Sequence, residues 1–113
     1  MEIRRGDVVL MVVPGELGRP RPGIVVQGDE LGGDTTTVLT CPLSSDLTDN
    51  PNPRLRPIIE PSVGNGLRVR SQVMTDKLLA QRRGRLRRVI GAIDAPTRDR
   101  LDAALLIVLG LAR

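Results

Sequence analysis

Glycine and proline cut this chain into pieces too short for helices along most of its length, and that punctuation limits the fold more than any other feature. The sequence holds 12 glycines and 9 prolines in 113 residues. Residues 8–13 form an apolar, β-branched run that stops at Pro14-Gly15, and Ile24-Val25-Val26 form another that ends at Gly28-Asp29. Residues 35–43 follow the turn Gly32-Gly33-Asp34 and close on Pro42-Leu43-Ser44-Ser45. Each run reads as a strand bounded by turn formers.

The segments between these runs are equally informative. Residues 14–23 carry three Gly and three Pro around Arg19 and Arg21, which forbids a helix and predicts an exposed, stiffened connection. Residues 46–53, with Asn50-Pro51-Asn52-Pro53, read as a surface loop. Residues 56–60 lie between prolines and suit an edge strand. After Gly64-Asn65-Gly66, residues 67–73 alternate, with Leu67 and Val69 on one face and Arg68 and Arg70 on the other, as in a half-buried strand. Residues 75–79 suit a short helical turn capped by Thr75. Residues 86–93 are a further strand within the most basic part of the chain, which includes Arg82, Arg83, Arg85, Arg87 and Arg88.

Only the end of the chain carries a sustained helical period. Asp94 or Ala95 is placed as cap and Pro96 falls in the first turn. Leu101, Ala104, Leu105, Val108 and Leu109 then recur at helical spacing. Short strands followed by one amphipathic helix predict a mainly β fold, a small barrel with a C-terminal helix, as a single domain over residues 1–113. The apolar stripe of the helix is expected in the core, with part of it at a dimer seam.

Composition narrows the chemistry. Apolar residues make up 40% and charged residues 27%, ordinary values for a chain that folds. With no Phe, Tyr or Trp, the core must be built from Val, Ile, Leu and Met, and bases cannot be stacked on aromatic platforms. The net charge is +4, and of 17 basic residues only Lys77 is lysine, so nearly every cation is a planar fork suited to phosphate or carboxylate. With no His and one cysteine, Cys41, the sequence excludes His-based acid–base catalysis, a standard zinc site and an intrachain disulfide. Cys41 is expected to be a small buried apolar residue. No segment has the length of a membrane span or the form of a secretory leader, so a cytoplasmic protein with no membrane contact is expected.

Arg5-Gly6-Asp7-Val8-Val9 opens the first strand and Arg21-Pro22-Gly23-Ile24-Val25-Val26 the second. Pro42-Leu43-Ser44-Ser45 ends the third, Gly66 to Thr75 carries Ser71-Gln72, and residues 88–93 lead into the capped helix to Leu111. In this order, over essentially the whole chain, the segments resemble the MazF/PemK toxin family. No single motif is specific, but the ordered set is hard to produce by chance. The resemblance implies an SH3-like β-barrel of the CcdB/MazF type. It also implies a homodimer that cleaves single-stranded RNA at short sequences without a metal or other cofactor. Attack by the neighbouring 2′-OH would leave a 2′,3′-cyclic phosphate. A cognate antitoxin would neutralise the toxin with an acidic tail.

By that resemblance the arginine of the Arg-Pro motif and the hydroxyl of the Pro-Leu-Ser-Ser motif carry the chemistry. Arg21 would hold the phosphorane oxygens and Ser44 would position the phosphate. Arg19, Ser45, Arg70 and Gln72 are candidates for substrate binding, Arg70 through phosphate and Gln72 through a base edge. Relatives often have Asp before this Gln. The present chain has Ser71, which removes a carboxylate able to act as base or to read a base edge. Read without the family, Arg19 and Arg21 are solvated loop charges and Ser44-Ser45 a local turn pair. The basic run at 82–88 is first an exposed face or antitoxin contact, and second an RNA surface. A CcdB-like toxin that poisons DNA gyrase without enzymatic activity is the alternative function, and a degenerate member that only binds RNA or an antitoxin is a third.

Overall fold

The computed structural model describes residues 1–15 and 18–112. Seven strands, β1 (Asp7–Val12), β2 (Pro20–Val25), β3 (Thr37–Ser44), β4 (Ile58–Ile59), β5 (Ser71–Val73), β6 (Leu79–Arg82) and β7 (Leu86–Ala92), precede one helix, α1 (Ala95–Val108). The strands run antiparallel in the order β4-β5-β3-β2-β1-β7, with β6 also on β3. The mainly β fold with one closing helix is as the punctuation predicts.

The long strand β3 makes the sheet curl. Its first half, Thr37 to Thr40, pairs with β6, and its end, Leu43 and Ser44, pairs with β5. Pro42 lies between the two pairings. β7 crosses β1 with register shifts beside Val8/Val9 and Leu10/Met11, and such bulges add local twist. The result is a half-barrel with apolar groups on both faces of β1. Val8 and Ile24 join Cys41, Leu43, Ile59, Leu67, Val73, Ile93 and Leu101 under the helix. Val9, Met11, Val25, Val38 and Leu86 form a second cluster on the opposite face. A run such as residues 8–13, with no polar alternation, is what a strand buried on both faces requires.

Helix α1 starts where expected. The Asp94 carboxylate accepts from the Thr97 backbone N–H at 2.9 Å, and Pro96 sits in the first turn. Gly110, with φ +73°, ends it. Leu101 and Ala104 are fully buried, whereas Leu105 and Val108 are half-buried and Leu109 is exposed, so the stripe enters the core at its N-terminal end only. Arg5 ties the helix to the sheet by donating to Asp102 at 2.7 Å and to the Val26 carbonyl at 3.1 Å.

Four expectations are corrected. The connection placed at residues 14–23 is shorter, because β2 already begins at Pro20; of that stretch, residues 16 and 17 lie outside the described residues. Residues 67–70 are not a strand: Leu67 is buried but Val69 is 55% exposed, so they do not share a face. The reason is the turn at 62–66. Asn65 is buried, accepts from the Ser62 and Leu67 N–H groups and donates to the Glu60 carbonyl, which lays the turn on β7 with Ala92 N–H bonded to Gly64 O. Thr75 does not cap its turn; it is fully buried and its hydroxyl donates to Leu55 O. Finally, β6 carries no alternating pattern and was not expected. It is held by pairing to β3 and by buried Gln81, whose amide donates to Val12 O at 3.1 Å.

The close packing of that turn on β7 depends on Gly66. Its φ is +70°, and a Cβ there would fall 2.2 Å from the Ile90 carbonyl oxygen. Gly66→Ala is therefore expected to lower stability by roughly 1–3 kcal/mol, combining left-handed strain with a backbone clash. Leu101→Ala should cost about 2–5 kcal/mol by opening a core cavity. Urea unfolding checks both, with the exposed Ile107→Ala expected within about 0.5 kcal/mol of wild type.

Candidate active site

Pro22 accounts for the position of Arg21. β2 and β3 pair as Gly23↔Pro42, Ile24↔Cys41 and Val25↔Thr40, and continuing this register sets Pro22 opposite Leu43 and Arg21 opposite Ser44. Val26 N–H donates to Leu39 O, so even-numbered residues of this stretch point their N–H groups at β3. Pro22 has no N–H to offer Leu43. The Arg21 guanidinium donates to the Leu43 carbonyl instead, at 3.4 Å, which lays the side chain across the end of β3 beside Ser44.

Ser44 closes a tight local turn. Its hydroxyl accepts from Asp46 N–H at 3.2 Å and donates to Asp46 O at 3.4 Å. The Asp46 carboxylate accepts from the backbone N–H and hydroxyl of Thr48 at 3.0 and 2.7 Å, and these bonds, the hydroxyl's first, hold it below the usual carboxylate range. Ser44 is thus a turn residue in its hydrogen bonding, while it and Ser45 also face a cleft.

That cleft has a volume of about 830 Å³. Arg21, Ser44, Ser45, Asp46, Arg68 and Arg88 provide its polar wall, and Leu10, Leu67, Val69 and Val89 are among the aliphatic groups of its floor. Arg21 comes from β2, Ser44 from β3, Arg88 from β7 opposite Leu10, and Arg68 from the segment that Gly66 lets cross β7. Ser71 also lines it, its hydroxyl donating to Val69 O at 3.0 Å.

The cleft gathers three of the six candidates from the sequence, Arg21, Ser44 and Ser45. Arg19 is exposed at the entry to β2 and does not line it. Arg70 does not line it either; its guanidinium pairs with Glu60 at 2.7 Å. Gln72 is fully buried with its amide turned into the protein. Its nitrogen donates to Asp46 O at 2.8 Å and Asp49 at 2.6 Å, and its oxygen accepts from Asn50 at 2.9 Å. The geometry makes Gln72 an anchor of the 46–50 loop. Arg68, Arg88 and Asp46 are the cleft residues that the sequence did not single out. An alternating run that misassigned Arg68 and a basic segment read as an exposed face concealed two of them.

The same loop is held by Arg56, buried at 5% exposure. It pairs side-on with Asp76 at 2.8 and 3.0 Å and with Asp49 at 3.3 Å. The Arg56 hydrogen bonds depress the Asp76 pKa, and Asp76 in turn raises that of Arg56. Cys41 is buried in the core and its thiol is pushed up to about 12 by burial, so it is inert as expected. Among the described residues no group of three or more His, Cys, Asp or Glu is arranged to hold a metal ion, and no helix is long and apolar enough to cross a membrane.

Residues 4–109 match the family described as PemK-like, MazF-like toxin of type II toxin-antitoxin system. The chain is also 35% identical over 111 residues to the probable endoribonuclease MazF of Mycolicibacterium smegmatis, covering 97% of this chain and 99% of that one. The chain belongs to the PemK/MazF toxin family. Solved structures agree on the fold. The Mycobacterium tuberculosis toxin MazF-mt6 superposes with a TM-score of 0.78 at 19% identity, over 95% of this chain and 99% of that one. A mycobacterial endoribonuclease solved with its cognate antitoxin gives 0.79 at 20% identity over 99% of each chain. MazF from a Deinococcus radiodurans MazE-MazF complex gives 0.76 at 19%, over 99% and 100%. The CcdB-like alternative is not favoured by these relationships.

The pH dependence of this MazF-like chain follows from Asp76. Its folded pKa is depressed, so the stability it contributes is fully present above the usual carboxylate range and is lost as pH falls through that range to the folded value. Urea midpoints measured from pH 6 down to pH 3 should fall in wild type and fall less in Arg56→Met. At pH 6 the variant should be less stable by on the order of 1–3 kcal/mol.

Proposed function

We propose that this chain is the toxin of a type II toxin–antitoxin pair and acts as a metal-independent endoribonuclease on single-stranded RNA. The reading is supported above all by Arg21 and Ser44 sharing one cleft with two further arginines, within the fold of the MazF family. In-line attack of a 2′-oxygen on the adjacent phosphorus builds negative charge on the phosphorane oxygens. A guanidinium fork can hold two of them, and Arg21 is fixed near Ser44 by its bond to Leu43 O. Because an arginine stays protonated, it stabilises charge in this scheme and is not the acid. The Ser44 hydroxyl exchanges its weak bond to Asp46 O for one to the phosphate. Arg68 and Arg88 neutralise neighbouring phosphates, and bases rest on the aliphatic floor. The products are a 2′,3′-cyclic phosphate and a 5′-hydroxyl end.

Partners follow from the same reading. A homodimer and a cognate antitoxin with an acidic segment suit a cytoplasmic toxin whose net charge is +4, and binding through arginines weakens with salt. Arg19, exposed at the entry to β2, and the exposed arginines of the 82–88 run are available to that partner or to flanking RNA.

The test is incubation with a long defined RNA in EDTA, with new ends mapped by primer extension. Wild type should cut at a recurrent short sequence. Arg21→Ala should lose about 10²–10³-fold in rate and Ser44→Ala about tenfold. No cutting of any RNA by folded wild type would sink the enzymatic reading, and inhibition of DNA gyrase would then point to the CcdB-like alternative.

A further inference from the structure

This inference deepens the ribonuclease reading and rests on it. Transfer of the 2′-hydroxyl proton needs a base, and the chain has no histidine to serve. Ser71 also lines the cleft, but its hydroxyl is committed to Val69 O. We propose that the Asp46 carboxylate is the general base of this active site, taking the proton from the attacking 2′-hydroxyl.

Asp46 is the one carboxylate among the described residues lining the 830 Å³ cleft, and the adjoining pocket that Arg21, Ser44 and Asp46 also line adds only Asp49. It shares the Ser44 turn, so the base and the phosphate-positioning hydroxyl move as a unit. Its backbone is pinned from below by the Gln72 amide, and Thr48 holds Oδ1 while Oδ2 takes no bond from a described residue. Among the described residues, the other nearby acids are committed. Asp49 accepts from Gln72 through one oxygen and from Arg56 through the other, Asp76 is chelated by Arg56, and Glu60 pairs with Arg70 outside the cleft.

In the step, an Asp46 oxygen accepts the proton as the 2′-oxygen bonds to phosphorus. The bond from phosphorus to the 5′-oxygen breaks, and that oxygen leaves with the electron pair and takes a proton from water. Asp46 then returns its proton to solvent, with no bond to protein and no redox change. Among the described residues, the charged groups that share its two pockets are Arg21 of β2, Arg68 of the segment before β5, Arg88 of β7, Asp49 of its own loop and Lys77 of the turn after β5. The bonds from the Thr48 hydroxyl and then the Thr48 N–H hold the carboxylate below its usual range, so it is ionised at neutral pH. The rate therefore falls only when pH drops through the depressed value of Asp46.

Single-turnover cleavage of a short RNA with one cut site, at saturating enzyme, tests this, together with binding of the same RNA carrying a 2′-deoxy residue at that site. Asp46→Asn keeps an acceptor for Thr48 and should slow cleavage by about 10²-fold or more with binding changed less than about threefold, and Asp46→Glu should recover part of the rate. Thr48→Val removes the hydroxyl that depresses the Asp46 pKa, so the acid limb of its pH–rate profile should move to higher pH. Wild type that cuts and depends on Arg21, while Asp46→Asn cuts within about threefold of it or Thr48→Val leaves the acid limb in place, overturns this proposal alone. Wild type that cuts no RNA overturns the ribonuclease reading and this proposal together.

Discussion

The buried amide of Gln72 is the contact on which the cleft depends. An amide inside a protein without partners costs about 1–3 kcal/mol, so Gln72 can lie on β5 only if something returns to satisfy it. The 46–50 loop does so with Asp46 O, Asp49 and Asn50. Arg56 makes the same demand from the next stretch of chain, and Asp49 answers both. A loop whose composition of Asp, Asn and Pro suggests freedom is thereby held to one path, and the turn that carries Ser44 and Asp46 inherits it.

A second constraint comes from what the chain lacks. Without aromatic residues the two sides of the curled sheet are filled by Val, Ile, Leu and Met, whose shapes allow both faces of β1 to be covered. The same absence leaves the cleft an aliphatic floor beneath arginines. Binding there draws on charge and shape, with stacking limited to guanidinium planes. Without histidine, chemistry divides between cations that stay charged and a carboxylate, which is why the proposed site is built on arginines, a serine hydroxyl and one exposed aspartate.

Much of this was legible beforehand. Turn formers at short intervals marked β1, β3 and β7, and the cap at Asp94 with the helical stripe marked α1, because each signal is local and needs no partner to read. The start of β2 was hidden from the local pattern, although the family order opens that strand at Arg21. Pro20 and Pro22 look like loop residues, yet they sit where the pairing to β3 has ended and their missing N–H groups harm nothing. Residues 67–70 misled in the opposite sense, since their alternation is real but the buried Asn65 turn directs the backbone over β7. Arg21 and Ser44 were found through the ordered family pattern. Arg68, Arg88 and Asp46 were not, since each becomes a cleft residue only through pairing with distant segments.

By itself the sequence determined the class of fold, the single closing helix, the aliphatic core, the family, and the restriction of chemistry to arginine, hydroxyl and carboxylate groups. The family follows from the ordered resemblance, and the rest from local pattern and composition. The tertiary structure alone decided which of 16 arginines and one lysine, the 17 basic residues of the chain, face a common cleft, and that Gln72 looks inward. Strand register decides it: β1, β2, β3 and β7 converge across more than sixty residues of chain, and a shift of one residue would turn Arg21 and Arg88 to the other face of the sheet.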